Sequence, residues 1–115
     1  MTSVGSCTQR AWAPCCDGSQ NEANRFWISE NGIADAADSR RTEFITSHLT
    51  EVARAIADGV DVRGYLHWSL LDNFEWAEGY APRFGLYAVD YATQTRTLRP
   101  SGEMYAQIVK RRRLQ

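Results

Sequence analysis

Two stretches of this chain hold side chains that do chemistry. One is Ser29-Glu30-Asn31-Gly32. The other is WSLLDNFEW, which sets Trp68 and Trp76 around Asp72, Asn73, Phe74 and Glu75. Indoles and carboxylates crowded into one loop suit a polyhydroxylated ring. The apolar C–H face of a pyranose stacks on an indole, and a carboxylate accepts hydrogen bonds from two neighbouring hydroxyls. The plainer alternative makes Trp68 and Trp76 core residues and the acids surface groups, with Asn31-Gly32 a turn signal that Glu30 merely precedes.

Glu30 and the tryptophan loop act together only if the backbone brings them to one place. Phe26 to Ile28 is a short aromatic and apolar run ending at the polar stretch 29–32, which predicts a buried parallel strand that stops at a turn. Ile45, Leu49, Val52 and Ile56 recur at helical spacing between Ser39 and Asp58, with Gly59 just past the end. Val60 to Trp68 (VDVRGYLHW) is β-branched and aromatic, and predicts a second strand. Strand, helix and strand form a βαβ unit with parallel strands. In such an architecture the functional side chains gather at the C-terminal strand ends. The expected rim is therefore Glu30 from the first strand, with Trp68, Asp72, Asn73, Glu75 and Trp76 from the second strand and the loop beyond it.

Farther along, FGLYAVD and YATQTRT predict a short hairpin. Ser101 is expected to cap a last helix carrying Met104, Tyr105, Ile108 and Val109 on its apolar face. Lys110 to Arg113 fall at the end of that helix, where cations favour the helix dipole, so KRRR reads as a solvated terminus. Residues 1–22 show no periodicity and read as an irregular leader.

Thirteen basic and fourteen acidic side chains give a net charge of −1, without electrostatic bias toward nucleic acid or an anionic membrane. No apolar run approaches the ~18 residues of a membrane span, and the N-terminus lacks a hydrophobic signal segment, so the expected location is cytoplasmic. Cys7, Cys15 and Cys16 have neither C-x-x-C spacing nor a nearby histidine, and are expected to be free thiols rather than a zinc site. No metal or cofactor is called for.

The runs WISENGIAD, FITSHL, GVDVRGYLHWSLLDNFEWAEGYAPRFGLYAVD and TLRPS, in this order, closely resemble the C-terminal quarter of glycoside hydrolase family 1, the β-glucosidase and β-glycosidase family. The likeness runs from about residue 22 to the end. It implies an α/β fold, an eight-stranded β/α (TIM) barrel of which residues 23–115 supply strand seven through the final helix. It further implies a retaining β-glycosidase acting on terminal β-D-glycosides. Glu30 matches the nucleophile, which forms a covalent glycosyl-enzyme, although Ser29 replaces the usual threonine. Trp68 matches the tryptophan beneath the sugar, Glu75 and Trp76 match residues that hold its hydroxyls, and Phe84 matches an aromatic lining the same pocket.

The family's acid/base carboxyl lies in an Asn-Glu-Pro motif on strand four. Within these 115 residues the only Asn-Glu, Asn21-Glu22, is followed by Ala23. The implied partners are a β-glucoside or related small sugar, and the missing barrel segment as another chain. Little turnover is expected of this chain alone, and the unmatched leader would suit a misjoined start. Two other readings are a sugar-binding remnant that no longer reacts and a protein-interaction module.

Overall fold

The computed structural model describes residues 25–112. Strand β1 (Arg25–Asn31), helix α1 (Arg41–Ala57) and strand β2 (Asp61–His67) form the βαβ unit, with β1 and β2 paired in parallel. A single 3-10 turn follows at Trp76–Glu78. Strands β3 (Tyr87–Asp90) and β4 (Thr95–Leu98) then form the antiparallel hairpin, and helix α2 (Pro100–Arg111) closes the described chain. Each sheet has two strands, and Leu71 bridges Tyr87 between the loop after β2 and the hairpin. The described residues thus make an open α/β unit, not a closed barrel.

The first strand extends farther than its apolar run predicts. Glu30 and Asn31 belong to β1, and the turn anticipated at Asn31-Gly32 is not there. Nor is the strand buried as expected: Ile28 is, but Phe26 and Trp27 are 47% and 66% exposed. The cause is topological. A parallel strand is covered on both faces only when neighbouring strands and helices flank it, and here β1 pairs with β2 alone.

Helix α1 follows the spacing of its apolar residues, and Gly59 with φ +93° ends it in a conformation that favours glycine. Ile45 is fully buried, whereas Ile56 at the far end of the same stripe is 51% exposed. The helix start has no side-chain cap at Arg40 itself. The Asp35 carboxylate instead accepts from the Arg40 and Arg41 amides, at 2.8 and 3.2 Å.

The apolar core is small, comprising Ile28, Ile45, Leu86 and Val89, and buried polar groups knit the rest together. Arg41 is wholly buried. Its Nη2 donates to the Asp35 and Arg83 carbonyls, both at 2.7 Å, and its Nη1 pairs with Asp38.

Asp38 also corrects the expectation for Ser101. Helix α2 begins at Pro100, where a missing N–H does no harm, so Ser101 lies inside the helix and does not cap it. The cap comes from Asp38, 63 residues upstream, which accepts from the Ser101 amide at 2.9 Å and from its hydroxyl at 2.6 Å. At the other end Lys110, Arg111 and Arg112 are exposed, as a solvated terminus requires.

Candidate active site

Parallel pairing puts the C-terminal ends of β1 and β2 side by side. Asn31 is the register partner of His67, and one residue later the Trp68 amide donates to the Asn31 carbonyl at 2.9 Å. Glu30 and Trp68 therefore leave the sheet at the same end. Glu30 is exposed and Trp68 is 38% exposed. Among the described residues neither the Glu30 nor the Glu75 carboxylate enters an ion pair.

Gly32 is what lets the strand ends close up. A Cβ there would collide with the Trp68 carbonyl. The Asn-Gly signal in the sequence thus marks a close backbone approach rather than a turn.

Phe84 reaches the same end from the other side of the loop. Its carbonyl accepts from the Ser69 amide at 3.2 Å, and the Leu86 amide donates to the Ser69 carbonyl at 2.9 Å. Glu75 and Trp76 sit on a tight turn in which the Glu75 amide donates to the Gly79 carbonyl at 2.7 Å. Gly79 adopts φ +64°, and Trp76 projects outward, 84% exposed. Among the described residues no hydrogen bond ties the Glu75 or Trp76 side chain to β1. Glu30, Trp68 and Phe84 are gathered at one end of the strand pair, and Glu75 and Trp76 lie on the loop that follows β2.

Asp72 and Asn73 do not belong to the rim, contrary to the sequence reading. Asp72 is buried and its carboxylate is fully engaged. It accepts from the Gly85 and Val89 amides at 2.9 and 3.2 Å, and from Arg99 Nη1 and Nη2 at 3.0 and 3.2 Å. Arg83 approaches it at 3.4 Å. Burial pushes the Asp72 carboxyl up, but the Arg99 guanidinium and the two amides outweigh burial and hold it below the usual carboxylate range. An ionised, saturated carboxylate has no capacity left for a ligand. Asn73 is likewise turned inward, donating to Ser69 Oγ at 2.9 Å and to the Leu71 carbonyl at 3.2 Å.

The consequence is a braced loop. Asp72 draws together its own segment, the Gly85 to Val89 stretch and Arg99 ahead of α2, so the loop carrying Glu75 and Trp76 hangs from a fixed point. On the same loop Phe74 meets Tyr80 edge-on and Tyr80 meets Tyr91 tilted, with ring centroids 5.3 and 4.4 Å apart, and the Arg83 guanidinium lies 4.7 Å from the Tyr91 centroid. Sequence reading missed Arg99 and Gly85 because their partner is distant in the chain, and no local pattern marks such a bond.

His67 is not a proton carrier at neutral pH. Both ring nitrogens are buried without a hydrogen-bond partner among the described residues. Burial, then the Arg41 charge, pushes its pKa down to about 4, with the Phe84 carbonyl opposing. At neutral pH it is an uncharged packing residue beside the Tyr105 ring.

No group of three or more metal-ligating side chains occurs among the described residues, and Cys7, Cys15 and Cys16 lie outside them. No helix there is long and apolar enough to cross a membrane.

Comparison with known proteins gives a consistent result. The family model described as Glycosyl hydrolase family 1 matches residues 18–114. The chain is 55% identical over 83 residues to a β-galactosidase of Saccharolobus solfataricus, covering 72% of this chain and 17% of that protein. It is 46% identical over 105 residues to a β-glucosidase of Agrobacterium sp., covering 91% of this chain and 22% of that one. Among solved structures, the hyperthermophilic β-glucosidase of Pyrococcus furiosus superposes with a TM-score of 0.76 at 50% identity, over 77% of this chain and 19% of the other. The β-glucosidase of Thermotoga maritima in complex with castanospermine gives 0.73 at 41% identity, over 79% and 23%. The chain spans about a fifth of the length of the curated relatives it matches.

Proposed function

This chain belongs to glycosyl hydrolase family 1, and on that premise we propose that it carries the nucleophile side of the sugar site of a retaining β-glycosidase. What supports the reading above all is that Glu30 and Trp68 occupy the same end of a parallel strand pair, joined there by the Trp68 amide to Asn31 carbonyl bond. Related proteins named β-glucosidase and β-galactosidase, and the castanospermine bound by one of them, point to terminal β-glucosides and β-galactosides as the substrate class.

In the proposed reaction a Glu30 carboxylate oxygen bonds to the anomeric carbon. The glycosidic bond breaks, and its electron pair leaves with the aglycone oxygen. That oxygen takes a proton from a second carboxyl, which a retaining site holds about 5 to 5.5 Å from the nucleophile. Water then attacks the glycosyl-enzyme, returns its proton to the second carboxyl and frees Glu30. Trp68 supplies the apolar platform under the ring, Phe84 closes the wall beside it, and Glu75 and Trp76 engage its hydroxyls.

Within these 115 residues no Asn-Glu-Pro supplies the second carboxyl. General-acid assistance is a factor of roughly 10² to 10⁴, so these 115 residues by themselves are expected to turn over sugar poorly, and the remaining strands of a barrel are their natural complement. The test compares the chain with its Glu30→Gln variant on two substrates. An aryl β-glucoside should be released at background by both. A 2-deoxy-2-fluoro-β-glucoside with a dinitrophenolate leaving group needs no acid and should label Glu30 alone. Robust Glu30-dependent release of the aryl glucoside contradicts the incompleteness of the site. Sugar binding that leaves Glu30 unlabelled contradicts the nucleophile assignment and favours a non-reacting sugar binder.

A further inference from the structure

The two strands of the parallel pair do not keep step. Ile28 pairs with Tyr65 and Asn31 with His67, so three residues of β1 run against two of β2, and one residue of β1 is extra. Side chains alternate along a strand, so one extra residue inverts every side chain that follows it. The faces on either side of this point are identifiable. Ile28 is buried, and its partner Tyr65 packs toward Tyr105 of α2, ring centroids 6.3 Å apart, so this is the helix-covered face. The opposite face is open: Trp27 lies across Gly64 on it, and Leu66 is 56% exposed.

Plain alternation from Ile28 would send Glu30, two residues on, to the helix-covered face, away from Trp68. The extra residue reverses this. Asn31 now shares the helix face with its partner His67 and its neighbour Tyr65, whose hydroxyl donates to Asn31 Oδ1 at 2.7 Å. Alternation back from Asn31 assigns Glu30, which is exposed, to the open face that carries Leu66, and alternation onward from His67 assigns Trp68 to that same face.

We propose that the Tyr65 Oη to Asn31 Oδ1 hydrogen bond fixes the phase of this bulge, making Tyr65 a positioning residue that acts through Asn31 to aim Glu30 at the Trp68 face. The inference rests on the proposed role of Glu30, but its geometry is measurable without a sugar. The bond suits the task. It joins residues 34 apart in sequence and lies on the covered face. Its donor stays a neutral phenol at any working pH, because burial and then the nearby Tyr105 raise the Tyr65 hydroxyl above its ordinary range.

The experiment uses the full chain and compares nuclear Overhauser cross-peaks from the Glu30 γ-protons to the Leu66 methyls with those to the Tyr105 ring. The native chain should show the Leu66 contact. In Tyr65→Phe, which keeps the ring and removes the hydroxyl, the ratio of Leu66 to Tyr105 cross-peaks should fall about fivefold, the factor carried by a neutral hydrogen bond of ordinary net strength. Asn31→Ala should do the same, and Asn31→Asp, which retains an acceptor for Tyr65, should restore the native ratio. The Ile45 methyl shifts report whether the core is intact in each variant. If Tyr65→Phe loses the core, the Asn31→Ala and Asn31→Asp pair decides. Native ratios in both Tyr65→Phe and Asn31→Ala, or in Asn31→Ala alone where Tyr65→Phe unfolds, overturn the proposal. No sugar enters this readout, so its failure is distinct from a failure of Glu30 to be labelled.

Discussion

The Trp68 amide donates to the Asn31 carbonyl at 2.9 Å, just beyond the paired ends of β1 and β2, and Gly32 is the residue that allows so close an approach. Replacing Gly32 by alanine pushes a methyl into the Trp68 carbonyl. The strand ends must separate, at a cost of roughly 1 to 3 kcal/mol by the usual penalty for overpacking. Urea unfolding of Gly32→Ala should show that loss, and faster amide exchange at Trp68 should accompany it. A Gly32→Ala chain as stable as the native one would mean that the strand ends are not held together as described.

The Asp72 and Arg99 pair gives a sharper stability test. Arg99→Met strips the buried Asp72 carboxylate of its two-nitrogen partner and leaves it only the longer Arg83 contact at 3.4 Å, and the expected loss approaches the about 3 to 5 kcal/mol of a broken buried pair. Adding Asp72→Asn to Arg99→Met removes that charge and should recover part of the loss. The comparison is read from denaturant midpoints. A single variant within about 1 kcal/mol of native would show the pair to be incidental to the loop.

How much of this was legible in the residues depends on the range of the interaction that decides each feature. The βαβ order follows from the local patterns of Ile45, Leu49 and Val60 to Trp68, the hairpin from FGLYAVD and YATQTRT, and the last helix from Met104, Tyr105, Ile108 and Val109. Glu30 and Trp68 stood out because an acid and an indole at strand ends are chemically conspicuous, and parallel pairing was enough to expect them at one end. The misreadings came from long-range partners. Asp72 resembled a ligand-binding acid until Arg99, 27 residues on, was found to occupy it. Ser101 looked like a cap, but Asp38 does the capping across 63 residues. The extra residue in β1 has no signature in its own sequence, since it exists only relative to β2.

Two acid-sensitive steps should appear in the stability of the chain. For His67 the folded pKa is depressed from 6.5 to about 4. The unfolded chain therefore binds the proton first, and stability complete above pH 6.5 declines as the pH falls toward 4. Asp72 is also depressed, so its contribution is complete above its ordinary value of 3.8 and is lost as the pH drops through the lower folded value. Thermal unfolding between pH 8 and 2 should show both declines. His67→Leu should flatten the first and spare the second. A His67→Leu profile parallel to the native one throughout would contradict the buried, neutral state of this ring.

The central claim is that Glu30 and Trp68 border one sugar-binding surface. Titration of the isotopically labelled chain with methyl β-glucoside, followed by amide and indole resonances, tests it most directly. The Glu30 amide and the Trp68 indole N–H should shift together along a single saturation curve, with α1 resonances unmoved. Shifts at only one of the two, two curves of different midpoint, or no sugar-dependent change at either would contradict the account.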